Sequence, residues 1–253
     1  VYATERHQQI LAVARREGRV DVAGLARDLD VTPETVRRDL TALERHGLLR
    51  RVHGGAIPVE RLGIEPGLAD REGVLAGEKE RIAKAALDEL PDGGSVILDA
   101  GTTTVRLAEL LPTDRELTVV THALPVATVV ATRTNLTLHL VGGTVRGRTL
   151  AAVGDWALRS LADIHADVAF VGTNGLTVEH GLTTPDLAEA AVKRALVASA
   201  RRTVVLADHS KFGRTDLARV APLAAVDAVV TDSGVEPELA DEIEAAGPRV
   251  VRA

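Results

Sequence analysis

The sequence predicts an α/β chain in two parts, a small helical segment followed by a larger, mostly parallel α/β domain. Three observations predict it. Residues 1–57 hold three short amphipathic stripes and a hairpin pattern; from residue 78 onward helical and β-branched runs alternate regularly; and nearly every β-branched run ends on glycine, hydroxyl or charged residues.

The first stripe spans Glu5 to Arg16, with Ile10, Leu11, Val13 and Ala14 on one face and Gly18 as the stop. Asp21 can cap a second helix that buries Val22, Leu25, Ala26 and Leu29. After Asp30-Val31, the run Thr32-Pro33-Glu34 supplies an N-cap hydroxyl, a proline at the first helical position and an acid in the first turn. Val31 and Val36 can close a hydrophobic staple across that cap. The third helix then buries Val36, Leu40 and Leu43, turns Glu34, Thr35, Arg37, Arg38 and Thr41 outward, and ends at Gly47. Leu48 to Ile57 reads as a strand, a Gly-Gly turn at Gly54-Gly55 and a return strand, carrying Arg50, Arg51 and His53. This is the pattern of a winged helix-turn-helix, whose third helix enters the DNA major groove with arginines able to pair with guanine.

Net charge at first argues against DNA, since the chain carries −6. Its distribution reverses that argument. Through Gly55 ten arginines face eight acidic residues, and His7, His46 and His53 lie in the same stretch, so the acidic excess belongs to the rest of the chain. The 253 residues, 45% of them apolar, suffice for one small and one large domain, and with 2% aromatics the core must be aliphatic. Absence of cysteine excludes disulfides and thiolate metal sites. The histidines lack metal-ligand spacing, and no cofactor fingerprint occurs, so neither metal nor cofactor is expected. No apolar run reaches about 18 residues and no signal-peptide pattern leads the chain, so a soluble cytoplasmic protein without membrane contact is expected.

Residues 58–77 mix proline, glycine and charge and read as a linker, which sets the expected domains at 1–57 and 78–253. Beyond it, helices are expected near Glu78–Leu90, Val105–Leu111, Leu124–Thr132, Asp155–Leu161, Pro185–Ala200 and Glu236–Ala246. Strands are expected at Ser95–Asp99, Leu117–Thr121, Leu136–Val141, Asp167–Val171, Thr203–Ala207, Val226–Thr231 and Arg249–Val251. The charge runs Glu78–Arg81 and Glu236–Glu244 read as solvated helix faces.

Ligands of such sheets bind beyond the carboxyl ends of the strands. Asp99-Ala100-Gly101-Thr102-Thr103-Thr104 joins a strand to a helix, and its hydroxyls and free helix N–H groups can hold a phosphate, although the Gly-Lys-Ser/Thr ending of a P-loop is missing. Other strand ends supply Thr121-His122, Gly142-Gly143, Gly172-Thr173-Asn174-Gly175 and Asp208-His209-Ser210-Lys211.

The run Thr-Pro-Glu-Thr-Val-Arg-Arg-Asp-Leu from Thr32, with Leu43-Glu44 and the Arg51-Val52-His53-Gly54-Gly55-Ala56 wing, resembles the N-terminal domain of the DeoR family of bacterial repressors. The second half resembles that family's sensor domain, related in fold to ribose-5-phosphate isomerase and the CoA transferases, through Asp99–Thr104, Thr121, Gly142-Gly143, Gly181–Thr184 with Glu189 and Lys193, Asp208–Gly213 and Thr231-Asp232. By residue, the resemblance implies DNA contacts from Thr35, Arg37 and Arg38 and wing contacts from Arg50, Arg51 and His53, and Thr32 and Glu34 are expected to bind DNA beside them. It implies effector contacts from Asp99, Gly101, Thr102, Thr103, Thr104, Thr121, Gly142, Gly143, Lys193, Asp208 and Lys211, with His122 standing where asparagine is common. The wing, the third helix and the Ala-Gly-Glu-Lys-Glu-Arg-Ile-Ala stretch most resemble actinobacterial repressors of fructose operons. That likeness implies release from operator DNA by a phosphorylated sugar, fructose 1-phosphate first and glycerol 3-phosphate or another ketose phosphate next; a homo-oligomer of two or four chains is expected because paired recognition helices match repeated half-sites.

An enzyme of the sugar-phosphate isomerase class is the rival, with Asp99, Glu189 and Lys211 as the residues that could serve it. The isomerase pattern puts paired acids after the fourth strand, and Gly172-Thr173-Asn174-Gly175 has none there, which favours a sensor without catalysis.

Overall fold

The computed structural model describes residues 3–45, 48–58, 65 and 67–253. The expected helix stop at Gly47 lies outside them. The chain divides into two compact units, Val1–Val74 and Leu75–Ala253.

The first unit runs α1 (Ala3–Glu17), β1 (Val20–Asp21), α2 (Val22–Asp28), α3 (Pro33–Arg45), β2 (Leu49–Val52), β3 (Gly55–Pro58) and α4 (Leu68–Glu72). Each expected start signal is used. The Asp21 carboxylate accepts the Gly24 N–H at 2.7 Å, and the Thr32 hydroxyl accepts the Thr35 N–H at 3.2 Å. Ile10, Leu11 and Ala14 of α1, Leu25 of α2, and Val36, Leu40 and Leu43 of α3 bury one core together with Leu49 and Ala56 of the wing. Val31 packs against the same core, as does Val74 beyond α4, a helix inside the stretch read as linker.

The wing differs from the expected Gly-Gly turn. β2 and β3 pair antiparallel with Val52 opposite Gly55, so the turn is His53-Gly54, with Gly54 at φ +77. Gly55 already belongs to β3, where a Cβ would stand 1.9 Å from the Val20 carbonyl oxygen. Its bare backbone is what admits β1 against the wing, giving the sheet order β1-β3-β2.

The second unit continues with α5 (Ala76–Ala86), β4 (Gly94–Leu98), α6 (Thr102–Leu110), β5 (Leu117–Thr121), α7 (Leu124–Val130), β6 (Leu136–Leu140), β7 (Thr144–Arg146), β8 (Ala151–Val153) and α8 (Asp155–Ala162). It ends with β9 (Ala166–Gly172), β10 (Gly175–Thr177), β11 (Gly181–Thr184), α9 (Leu187–Ala198), β12 (Ala200–Leu206), β13 (Ala218–Ala221), β14 (Ala228–Thr231), α10 (Pro237–Ala245) and β15 (Arg249–Arg252). Seven strands form one parallel sheet in the order β15-β14-β12-β9-β4-β5-β6. Its inner strands are apolar on both faces because both are covered, whereas the edge strands β6 and β15 are half-buried or exposed throughout. Val96, Leu98, Phe170, Val204 and Leu206 pack with Ile82 of α5, Leu107 of α6 and Val126 of α7. On the other face, Ile97, Val120, Ala169 and Val171 pack with Leu161 of α8 and Val192 and Leu196 of α9, while Val205 and Val229 pack with Ile243 of α10. The β7-β8 ribbon and the β10-β11-β13 sheet were not expected: strands of three or four residues are too short to show alternation.

Candidate functional site

The candidate DNA-reading face is a consequence of register. With Val36, Leu40 and Leu43 inside, Glu34, Arg37, Arg38 and Thr41 are exposed and Thr35 is half-buried. Thr32 and Thr35 share a hydroxyl hydrogen bond of 2.9 Å at the cap. Arg37 lies 3.3 Å from Glu34, both exposed, so that pair is weak and separable. Arg38 has no ion-pair partner among the described residues.

The wing arginines take different positions. Arg50 is exposed, and His53 is exposed at the turn, its carbonyl accepting from Arg19 at 3.4 Å. Arg51 is folded onto α3: its Nη1 donates to the Arg37 carbonyl at 3.3 Å and to the Thr41 hydroxyl at 3.2 Å, and its N–H to the Glu44 carboxylate at 2.9 Å. Arg51 thus ties the wing to the third helix. Sequence reading passed over Asp39, which sits in an inward register between Val36 and Leu43 and is 5% exposed.

In the sensor unit, alternation sorts the strand-end residues onto two faces of the sheet. Asp99 follows Ile97 onto the α8-α9 side, where it is fully buried. Lys193 of α9 donates to its Oδ2, the Gly172 N–H donates to the same oxygen at 2.9 Å, and His122 Nε2 lies 2.9 Å from Oδ1. Lys193 also donates to the Gly172 carbonyl at 2.9 Å, and His122 Nδ1 lies 2.8 Å from the Ala152 carbonyl. Burial alone pushes the Asp99 carboxyl up, but the Lys193 charge and the His122 hydrogen bond outweigh it and hold it at about 2. A carboxylate so acidic and so enclosed is a poor proton acceptor at neutral pH.

On the α5-α6 side the arrangement is more open. Gly101, at φ +154, leads into α6, whose first turn is Thr102, half-exposed, then Thr103 and Thr104, both buried. Thr104 donates to the Gly101 carbonyl at 2.8 Å. Helices α5 and α6 lie side by side, with Glu80 and Arg106 3.7 Å apart. Asp208 follows Leu206 onto this side, and its carboxylate accepts from the Ser210 N–H at 3.1 Å with Lys211 3.8 Å away. Burial pushes Asp208 up, but Lys211, the Ser210 hydrogen bond and Lys79 hold it below the usual carboxylate range. Next to it, Asp232 accepts from the His209 N–H and the Gly234 N–H at 2.8 Å each and lies 2.8 Å from His209 Nδ1. These bonds overcome burial and hold Asp232 at about 2. The Asp232 hydrogen bond likewise outweighs burial and raises His209.

The expected effector residues therefore do not all converge. Gly101 to Thr104, Asp208 and Lys211 share one face, whereas Asp99, His122 and Lys193 form an enclosed cluster on the other. Thr121 is interior, donating to the Leu98 carbonyl at 2.7 Å and accepting the Ala123 N–H at 3.1 Å. Gly142 and Gly143 follow the edge strand β6, where a Cβ on Gly143 would meet the Val153 carbonyl oxygen at 2.6 Å. Glu189 is taken up by Arg146 at 2.5 Å and by the Thr149 hydroxyl, which fastens the β7-β8 connection to α9.

One reading needs correction. The run Glu78–Arg81 is not simply a solvated face, because Lys79 is 4% exposed. It shares the inward stripe of Ile82, Ala83 and Ala86, at helical spacing, and so comes to the strand ends beside Asp208. That stripe was the available signal for Lys79; His209 and Asp232 lay within the matched motifs Asp208–Gly213 and Thr231-Asp232, but nothing in the sequence showed that they pair.

Comparison with known proteins matches both units of the chain. A DeoR-like helix-turn-helix domain matches residues 6–61, and a DeoR C terminal sensor domain matches residues 75–233. The chain is 38% identical over 98% of its length, and 96% of the relative's, to a protein of Haloferax volcanii named HTH-type transcriptional regulator GlpR. It is 32% identical over 91% of both chains to the glycerol-3-phosphate regulon repressor of Escherichia coli. Among solved structures it bears a distant likeness to ribose 5 phosphate isomerase A from Neisseria gonorrhoeae, 15% identical over 56% of this chain and 55% of that one, with a TM-score of 0.39. With both halves matched in order and nearly the whole length aligned, this chain belongs to the DeoR family.

Proposed function

We propose that the protein is a DNA-binding transcriptional repressor of a sugar-utilisation operon, released from its operator by a phosphorylated sugar. The observation that carries this reading is the register of α3: its apolar stripe holds Arg37 and Arg38 outward beside a wing, on a fold that needs no other element to enter the major groove. Arg50 and His53 are the wing's exposed contacts to the phosphate backbone. The candidate phosphate site is the α6 N-terminus with Thr102 and Thr103, on the sheet face where Lys79 and Lys211 lie by Asp208, because helix N–H groups and ammonium groups suit a dianionic phosphate. Fructose 1-phosphate is the first candidate, on the likeness to fructose-operon repressors. The relative named for a glycerol-3-phosphate regulon supports a phosphorylated polyol as the next.

Release works by linkage. An effector that binds the DNA-incompetent arrangement more tightly shifts the population toward it, by no more than its differential affinity. A homo-oligomer of two or four chains fits paired half-sites. Among the described residues no helix is long and apolar enough to cross a membrane.

The test is a thermal-shift screen of fructose 1-phosphate, fructose 6-phosphate and glycerol 3-phosphate, followed by titration of the hit into the complex with the protein's own promoter region. The reading requires one compound to raise the melting temperature and dissociate the DNA. Turnover of that compound, or stabilisation without release, would overturn it.

A further inference from the structure

We propose that Asp39 is the positioning residue of the recognition helix, acting through Arg6 and His7 of α1. The proposal rests on the assignment of α3 as the DNA-reading element. Asp39 faces inward from α3, and both of its carboxylate oxygens are engaged across 33 residues of chain: Arg6 Nε donates to Oδ2 at 2.5 Å and Arg6 Nη2 to Oδ1 at 3.0 Å. His7 Nε2 lies 3.0 Å from Oδ1. Side-chain exposure is 7% for Asp39 and 11% for Arg6, so this is a two-point fork inside the unit rather than a surface pair. Burial raises the Asp39 carboxyl, and the bonds from Arg6 and His7 more than reverse that.

Among the described residues, the core that the two helices share around this fork is aliphatic. Ile10, Leu11 and Ala14 meet Val36, Leu40 and Leu43, and such contacts hold helices together while allowing one to roll or slide on the other. A bidentate carboxylate–guanidinium pair does not, because both bonds weaken as soon as the helix turns. Its geometry is transmitted to the next residues, Arg37 and Arg38, which have to reach base edges within about 0.5 Å and 10–20°. An ion pair here brings little net stability over an apolar replacement, but it selects one roll angle of α3.

The test compares full-length Asp39→Asn and Arg6→Lys with the parent on two duplexes, one selected by the parent from a randomised pool and one of unrelated sequence, at fixed salt. Asn keeps the shape without the charge; Lys keeps the charge without the fork. Each variant is expected to lose at least about tenfold in the ratio of selected to unrelated affinity, with the unrelated affinity and its salt slope unchanged. A purely structural role would lower the melting temperature and leave that ratio, corrected for folded fraction, where it was. That outcome overturns the proposal. Arg6→Lys keeps it testable should Asp39→Asn not fold, and a parent that selects no duplex would sink the reading of α3 as well.

Discussion

Lys193 and Asp99, 94 residues apart, meet as an ion pair sealed within the sensor unit. The pair links α9 to the end of β4, and the Gly172 N–H and carbonyl bind its two halves. Lys193→Met leaves a buried carboxylate without its cation and is expected to cost about 3–5 kcal/mol, measured by urea denaturation. Because folded Asp99 titrates at about 2, below its unfolded value of 3.8, its stabilisation is present above pH 3.8 and lost as pH falls through about 2. Asp99→Asn should weaken that part of the acid dependence.

His209 has the opposite sign. Its folded value is raised above 6.5 by Asp232, so its contribution is full below pH 6.5 and lost as pH rises through the raised value. Melting curves of His209→Gln and the parent should diverge most in mildly acidic buffer and converge in alkaline buffer. A constant offset across that range would remove the charged dyad.

Arg38 and Arg51 should separate in their effects. Arg38→Ala, which removes an exposed side chain, is expected to cost about 1–3 kcal/mol of operator affinity and leave the melting temperature unchanged. Arg51→Ala removes the bonds to the Arg37 carbonyl and Thr41 and should lower the melting temperature of the N-terminal unit. Salt-controlled titrations paired with calorimetry distinguish them.

Thr103→Asp puts a carboxylate in the first turn of α6, where it suits the helix dipole but repels a phosphate. DNA binding should survive while release by a sugar phosphate is abolished in a mobility-shift assay. Normal release would rule out that turn as the phosphate site.

Much of the local structure was legible in the chain. Thr32-Pro33-Glu34 marked the start of α3, and the stripe Val36, Leu40, Leu43 set which residues face outward. Each of the seven β-branched runs beyond residue 94 became a strand of the large sheet. The candidate DNA face was readable because its residues lie on one helix and one hairpin. The proposed effector site was only partly readable: Thr102 to Thr104 are adjacent, but Lys79 looked like part of a solvated charge run, and Asp99 like an open ligand group.

The sequence by itself therefore determined the longer elements, the caps at Asp21 and Thr32 and most of the inward and outward faces, since these depend on residues within a few positions of one another. Only the tertiary structure decided the strand order β15-β14-β12-β9-β4-β5-β6, the enclosure of Asp99 by Lys193 and His122, and the fork between Arg6 and Asp39. These depend on pairings across 19 to 94 residues, which helical and strand periodicity do not encode, because periodicity says which face is buried and not what it is buried against.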